Sequence, residues 1–428
     1  MKAQKKILAA ALAAALAAPL AANATDGYFS HSYGIKGKGM GGAVVSLAED
    51  GFAGANNPAA GVWAGNRLDL GLDWFSPKRK VTRSGSGGGM LDFSAESDST
   101  NFFIPELAWN TMHSADLAYG ISVYGNGGMN TDYPGGQLNC AAFGGPPVAN
   151  GLCGLDRLGV DLSQLMIAPT LSWRFTPGHS IGIAPVFAYQ RFEMYGAHLF
   201  TQLSQSPGDV TNRGYDSATG WGVRIGYMGR LSPTVSVGAT YATKTKMGEF
   251  DKYKGLFAEN GDFDIPENMG LGISFQPSKG LLVAVDWERI KYSGVASVGN
   301  PSTNQAPLGS SNGPGFGWQD VDVWKIGVQW QQSPALTLRA GYNRSDNPIL
   351  PRDVTFNILA PGVIKDHVTV GFTYALDKTS ELSMAYMHAF SNSVEGPSFF
   401  NAFAPGMGGT EKIEMYQNSL GIAWAKRW

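Results

Sequence analysis

Side chains capable of chemistry are few in this chain, and their spacing excludes more than it supports. The six histidines, His31, His113, His179, His198, His367 and His388, never fall at H-E-x-x-H spacing. No G-x-S-x-G run supplies a nucleophile elbow. Gly37-Lys38-Gly39-Met40-Gly41-Gly42 matches G-x-G-x-x-G by letter, but no strand precedes it and no βαβ unit surrounds it. Glycines that let backbone segments pack closely are the better account. Neither catalysis nor a cofactor is expected. Cys140 and Cys153 lie close together in a Gly/Pro-rich segment with no histidine pair nearby, which makes a poor zinc site. In an exported chain they are expected to form one disulfide, worth on the order of 3 kcal/mol in the chain-entropy model. Two free thiols are the alternative.

A second set of polar residues recurs at alternate positions. Asp286 and Glu288 lie opposite Val283, Val285 and Trp287. Lys325 and Gln329 lie opposite Trp324, Ile326 and Trp330, and Arg339 lies opposite Leu336 and Leu338. If the apolar faces meet lipid, Asp286, Glu288, Lys325 and Arg339 point inward from three adjacent strands. The reverse choice would cost about 2–4 kcal/mol per charge at mid-membrane. Inward charges could bind a ligand carboxylate, or they could brace an internal plug through salt bridges. The second role is favoured.

The elements that carry these residues are strands. Leu68, Leu70, Leu72 and Trp74 share one face, against Asp69, Gly71 and Asp73. Trp221, Val223, Ile225 and Tyr227 alternate with Gly222, Arg224 and Gly226. Period two at this length means β-strand. Fourteen strands are expected, near 67–82, 101–112, 117–133, 161–176, 180–196, 219–232, 234–250, 263–277, 280–295, 319–333, 335–349, 365–378, 380–394 and 412–428. Short connections such as Thr176-Pro177-Gly178 and Ser333-Pro334 alternate with long ones, as in a membrane barrel with short inner turns and long outer loops. The last strand carries Tyr416, Leu420, Ile422, Trp424 and Trp428 on one parity, and Lys426 near its end can snorkel.

Composition agrees with a membrane barrel. The 57 glycines are about twice the usual share. Charged residues are only 15% and aromatics 11%. The net charge of −2, without basic or acidic blocks, gives no reason to expect nucleic-acid binding. Lys2, Lys5 and Lys6, the apolar Ile7–Leu20 stretch and Ala22-Asn23-Ala24 read as a signal peptide, residues 1–24, with a mature start at Thr25. Residues 25–66, rich in glycine and too poor in apolar residues to fold alone, read as a plug. Residues 67–428 read as the barrel.

Glu49-Asp50 followed by Asn57-Pro58-Ala59 just before the first strand resembles the FadL family of outer-membrane transporters for long-chain fatty acids and other hydrophobic compounds. Ile265-Pro266-Glu267-Asn268-Met269-Gly270-Leu271-Gly272 and Leu338-Arg339-Ala340-Gly341-Tyr342-Asn343 are similar to two further strand patterns of that family. The resemblance implies a fourteen-stranded barrel plugged by an N-terminal hatch, with Asn57, Pro58 and Ala59 as the hatch motif. It implies a kinked third strand that opens a lateral gap, placed here at Gly125, Gly127 and Gly128; a strand that simply ends in a glycine turn is the alternative. It implies that the mature N-terminus reaches a ligand pocket. Tyr28, Phe29, Tyr33 and Ile35 would then contact ligand, although local plug packing accounts for them equally well.

The expected function is passive, hatch-gated uptake of hydrophobic small molecules, fatty acids or aromatic hydrocarbons, across the outer membrane of a Gram-negative bacterium. Leu138, Phe143, Leu152 and Leu155 would offer an outer landing surface. Expected partners are the ligand, outer-membrane lipid and lipopolysaccharide, and the barrel-assembly machinery, with the protein a monomer. A diffusion porin for polar solutes, or a structural or adhesive barrel, are the competing readings.

Overall fold

The computed structural model describes residues 26–402 and 406–428, apart from the Phe143 side chain. The signal peptide and its cleavage site lie outside the described residues. The wall strands are β1 Arg67–Ser84, β3 Phe102–Met112, β4 Leu117–Tyr133, β5 Leu158–Thr176, β6 His179–Tyr195, β7 Asp216–Ser232 and β8 Val235–Ala242. They continue with β10 Asn268–Ser278, β11 Leu281–Ile290, β12 Val321–Gln331, β13 Leu336–Ser345, β14 Asp366–Ala375, β15 Ser380–Pro397 and β16 Thr410–Arg427. Two short strands, β2 Phe93–Glu96 and β9 Lys246–Met247, add to β1 and β7 beyond the wall.

Each wall strand pairs antiparallel with its neighbours, and β16 pairs with β1 from Arg67↔Arg427 to Ser84↔Thr410. The result is a closed fourteen-stranded barrel, in which no strand is left as a free edge along its whole length. Alternation sets the faces. Leu72, Trp74, Trp173, Ile183, Trp221, Trp324 and Ile422 are exposed on the outside, where lipid replaces water. Asp69, Asp73, Asp286, Lys325 and Arg339 are buried on the inside.

Several strands are shorter than alternation predicts, and three of them meet at one place. β10 starts only at Asn268, because Pro266 has no N–H to give to a ladder. β8 therefore loses its partner after Ala242↔Asn268. β11 stops at Ile290, opposite that same end of β10, where the chain turns through Tyr292–Gly294.

Residues 26–66 lie inside the barrel. One helical turn, Ile35–Gly39, packs on β13 to β16, and short turns at Phe52–Gly54 and Pro58–Ala60 pack on β3 to β7. Above them the long loops join the N-terminal residues Tyr28, Phe29 and Tyr33 and parts of the wall in one apolar cluster that includes Phe192, Phe250, Tyr253, Phe257 and Phe263. The Cys140–Cys153 disulfide belongs to that loop layer. Leu138 and Leu152 are buried there, so of the expected landing residues Leu155 is the exposed one; the Phe143 side chain lies outside the described residues.

Candidate functional site

The wall is unzipped between β3 and β4. These strands pair only from Leu107↔Val123 to Met112↔Ala118. Beyond that, β3 keeps β1 as partner as far as Phe102, and β4 keeps β5 as far as Tyr133. The β4–β5 register slips between Gly125 and Gly127, which leaves Asn126 as an extra residue. Gly125, Gly127 and Gly128 have no side chains to resist the bend that such a bulge imposes.

The N-terminal segment occupies the gap. Ser30 N donates to Asn126 O at 3.0 Å, and Phe29 forms a β-bridge with Gly127. Tyr33 Oη donates to Asn126 Oδ1 at 2.6 Å, while Asn126 Nδ2 donates to Gln164 Oε1 at 2.9 Å. The Tyr33 and Tyr124 rings pack at a tilt of 47° with centroids 4.1 Å apart. A one-residue bulge has therefore turned an asparagine inward, where it ties the hatch to the weak point of the wall.

Just above, Tyr28 packs between Tyr292, Trp318 and Phe29, with ring centroids 5.2, 5.8 and 5.3 Å away. Tyr28 N donates to Tyr292 Oη at 3.2 Å, and Tyr292 Oη donates to Asp26 O. Asn343 Nδ2 donates to Asp26 Oδ2 at 3.3 Å. Burial pushes the Asp26 carboxyl up to about 7, against the opposing pull of Lys325. A narrow cavity opens beside this seat, lined by Tyr28, Phe75, Gly128, Met129, Trp318 and Met415 among others. Its walls are mainly apolar, with Arg79 and Asn130 as polar exceptions, and it connects the N-terminus with Gly128 of the gap.

Lower down, the hatch is held by buried ion pairs. Lys325 Nζ donates to His31 O at 2.7 Å and to Glu288 Oε2 at 2.5 Å. Arg339 donates to Thr373 Oγ1 at 2.6 Å and meets Glu49 Oε2 at 3.5 Å. Lys36 and Arg67 share Glu381, at 2.6 and 3.0 Å, and Lys38 meets Asp73 at 2.5 Å. Asp286 Oδ2 accepts from the backbone N–H groups of Val44 and Val45 at 2.6 and 2.8 Å.

Asn57 is the clasp of the lower hatch. Its Nδ2 donates to Val45 O at 2.7 Å and to Tyr227 O at 3.0 Å, and its Oδ1 accepts from Ala59 N at 3.0 Å. Pro58 fixes the first position of the following turn, where no N–H is required. The turn lies so close to the wall that a Cβ on Gly226 would come within 2.0 Å of Asn57 Oδ1. A Cβ on Gly182 would come within 2.3 Å of the Pro58 carbonyl carbon.

A closed barrel with an N-terminal segment in its lumen is the architecture compared with known proteins. The family model described as outer membrane protein transport protein (OMPP1/FadL/TodX) matches residues 11–398. The chain belongs to this family. It is accordingly an outer-membrane transport protein of a Gram-negative bacterium, crossing the membrane with strands. Among solved structures, the Pseudomonas putida toluene transporter TodX is similar at 20% identity and TM-score 0.69, covering 93% of this chain and 99% of that one. A Pseudomonas aeruginosa FadL homologue is similar at 13% identity and TM-score 0.69, covering 94% and 99%. The Ralstonia pickettii toluene transporter TbuX follows at 18% identity and TM-score 0.64, covering 93% and 99%. No curated protein sequence matches the chain.

Within this FadL/TodX-family barrel the predicted site residues divide into groups. Tyr28 borders the apolar cavity, and Phe29 and Tyr33 lie at the gap beside Gly127 and Tyr124. Ile35 packs elsewhere, on β16, where a Cβ on Gly421 would meet its Cδ1 at 2.3 Å. Lys325 and Arg339 reach hatch atoms. Sequence reading missed Asn126, Trp318, Tyr292 and Arg79. Only Arg79 had a signal, since it shares the inward parity of Asp69 and Asp73 on β1. Trp318 comes from a loop with no periodicity to place it, and Tyr292, inside the strand expected at 280–295, lies in the turn after β11.

Proposed function

We propose that this protein takes up hydrophobic small molecules by passive, hatch-gated diffusion that ends in lateral release into the membrane. The observation that carries the reading is the break in β3–β4 pairing, filled by the N-terminal segment at Phe29–Ser30 and Asn126–Gly127. A greasy solute crosses the polar outer layer slowly, and a lumen filled by a braced hatch gives no open aqueous path. A hole in the wall next to an apolar cavity offers a dry route instead. Residues 25–66 act as the hatch, Tyr28 and Phe29 contact ligand, and Tyr33 closes the gap against Tyr124. Lys325 and Arg339, already engaged with the hatch, act as braces. The toluene transporters among the similar structures fit a cargo of this class.

Deleting Asp26–Ser30 from the full-length protein tests the reading. The barrel is expected to fold normally, as judged by its heat-modifiable gel mobility, while uptake of labelled oleate or toluene changes from the native rate. Native uptake of both by a folded deletion variant would refute hatch gating.

A further inference from the structure

A groove of about 660 Å³ crosses the lipid-facing side of β5 to β8, β10 and β11. It follows the strand register. Trp173, Ile181, Tyr227, Ala239, Leu271 and Trp287 stand opposite one another, one per strand, as a single outward rung. Ile183, Ile225 and Tyr241 belong to the next outward rung, two residues along each strand. Between the rungs run Gly182, Gly226, Thr240 and Gly270, in register and on the lumen parity. Three of these four have no side chain, so the floor of the groove is mostly bare backbone. Ala239 stands between Tyr227 and Leu271, which cuts a notch in the middle of the first rung.

The inner face of the same floor seats the hatch. Gly182 and Gly226 are the positions where a Cβ would strike Pro58 and Asn57, and a Cβ on Gly270 would meet Val45 Cγ2 at 3.4 Å. One layer of peptide therefore separates the groove from the hatch clasp.

The chemistry of the lining selects the occupant. Tyr241 Oη donates to Glu267 Oε2 at 3.0 Å, and Trp287 Nε1 donates to Asp322 Oδ1 at 3.2 Å. Tyr227 Oη lies 2.7 Å from His179 Nδ1. The polar ends of these side chains are engaged with protein, and what they present to the groove is hydrocarbon. Rungs two residues apart are separated by about 6.6 Å, and six strands span about 24 Å, a slot for one chain lying lengthwise. A second copy of the barrel fits poorly, because a two-fold contact would set one hollow against the other and leave a void. Lipid tails already surround this face and gain no hydrophobic free energy by touching it. They gain packing, since a tail in the groove touches a floor and two walls, and a tail on a flat wall touches one surface.

We propose that this groove binds one acyl chain of a phospholipid, and that the bound chain stabilises the docked hatch through the strip of backbone they share. A ligand that fits the wall in its docked shape favours that shape by linkage. The groove begins at the short-turn end of β5 to β7, the periplasmic side of a barrel of this kind. The inference is independent of the cargo and of its exit route.

The test reconstitutes the full-length barrel with a phospholipid carrying a photoreactive diazirine in one acyl chain, and maps the labelled residues by mass spectrometry. Labelling at Ile183, Ile225 and Leu271 is expected to exceed that at Val370 and Trp324, which are at least as exposed elsewhere on the wall. The expected excess is about tenfold, the gain from about ten added carbon contacts. Ala239→Trp fills the notch and is expected to bring the two sets level, with folding checked by heat-modifiable gel mobility. Adding phospholipid to lipid-stripped native barrels is expected to slow amide exchange over residues 45–60, and to leave it unchanged in Ala239→Trp. Even labelling around the native barrel overturns the site without needing any variant. Preferential labelling that survives in folded Ala239→Trp also overturns it. A dimer in native mass spectrometry that Ala239→Trp abolishes would assign the groove to a second copy, against the proposal. Site labelling with no effect of lipid on exchange overturns the link to the hatch.

Discussion

Asparagine side chains hold the two ends of the hatch, and each is a single point of failure. Asn57 satisfies three backbone groups, two of them on different elements. Asn57→Ala leaves a buried carbonyl and an N–H unpaired, at about 1–3 kcal/mol for each group. Faster amide exchange over residues 45–60 is the expected result, with the barrel still folded. Glu381 is the matching charge node, contacted by Lys36, Arg67 and Arg427. Glu381→Gln leaves the buried Lys36 without its carboxylate, while Arg67 keeps Asp69, and is expected to cost about 3–5 kcal/mol in urea unfolding. At the N-terminus, Asp26 is raised to about 7 by burial. A raised carboxyl favours the docked state fully below its ordinary value near 4, and that contribution is lost as pH rises through about 7. Protease nicking near residue 30 should therefore be faster at pH 8 than at pH 5, and Asp26→Asn should flatten the difference.

The two weakest strand pairs have separate local causes. β8 and β10 separate early because of Pro266, and the long loops close over the opening. β3 and β4 separate because β4 carries one residue too many at Asn126. The sequence made the wall legible. Period-two alternation located every barrel strand and put Asp286, Lys325 and Arg339 on the inner face, since lipid outside and charge inside enforce that alternation. The glycines of β4 marked where a bulge could form, but which residue would turn inward depends on register with β5. The apolar cavity was less legible still. Tyr292, Trp318 and Met415 come from two loops and a distant strand, and only tertiary packing brings them to Tyr28. Hatch-to-wall contact was hidden for a related reason. Gly182 and Gly226 read as ordinary strand positions until Pro58 and Asn57 are laid against them. Gly226→Ala is expected to push the hatch off the wall, seen as a rise in single-channel conductance above a near-silent native protein.

Taken whole, the molecule is a cylinder whose strand ladder fails at two places, one covered by the long loops and the other, beside β4, filled by the N-terminal segment. Its floor is a braced hatch, its roof is a packed layer of loops, and its strand ladder is interrupted beside β4 and, under the loops, between β8 and β10. In the proposed route a solute from the roof meets the cavity beside Tyr28, which Gly128 of the gap also lines. The floor lies further on, past the ion pairs of Lys36, Lys38, Lys325 and Arg339. Lateral exit is thus the short path, and it depends on the unpaired stretch of β3 and β4. Deleting Asn126 removes the extra residue and lets the ladder run on past Tyr124. Uptake of labelled oleate by cells carrying that variant, folded and in the outer membrane, is the most direct test. Lateral release predicts uptake no higher than in cells lacking the protein, with ligand binding retained. Native uptake through a barrel whose wall has been closed would contradict it.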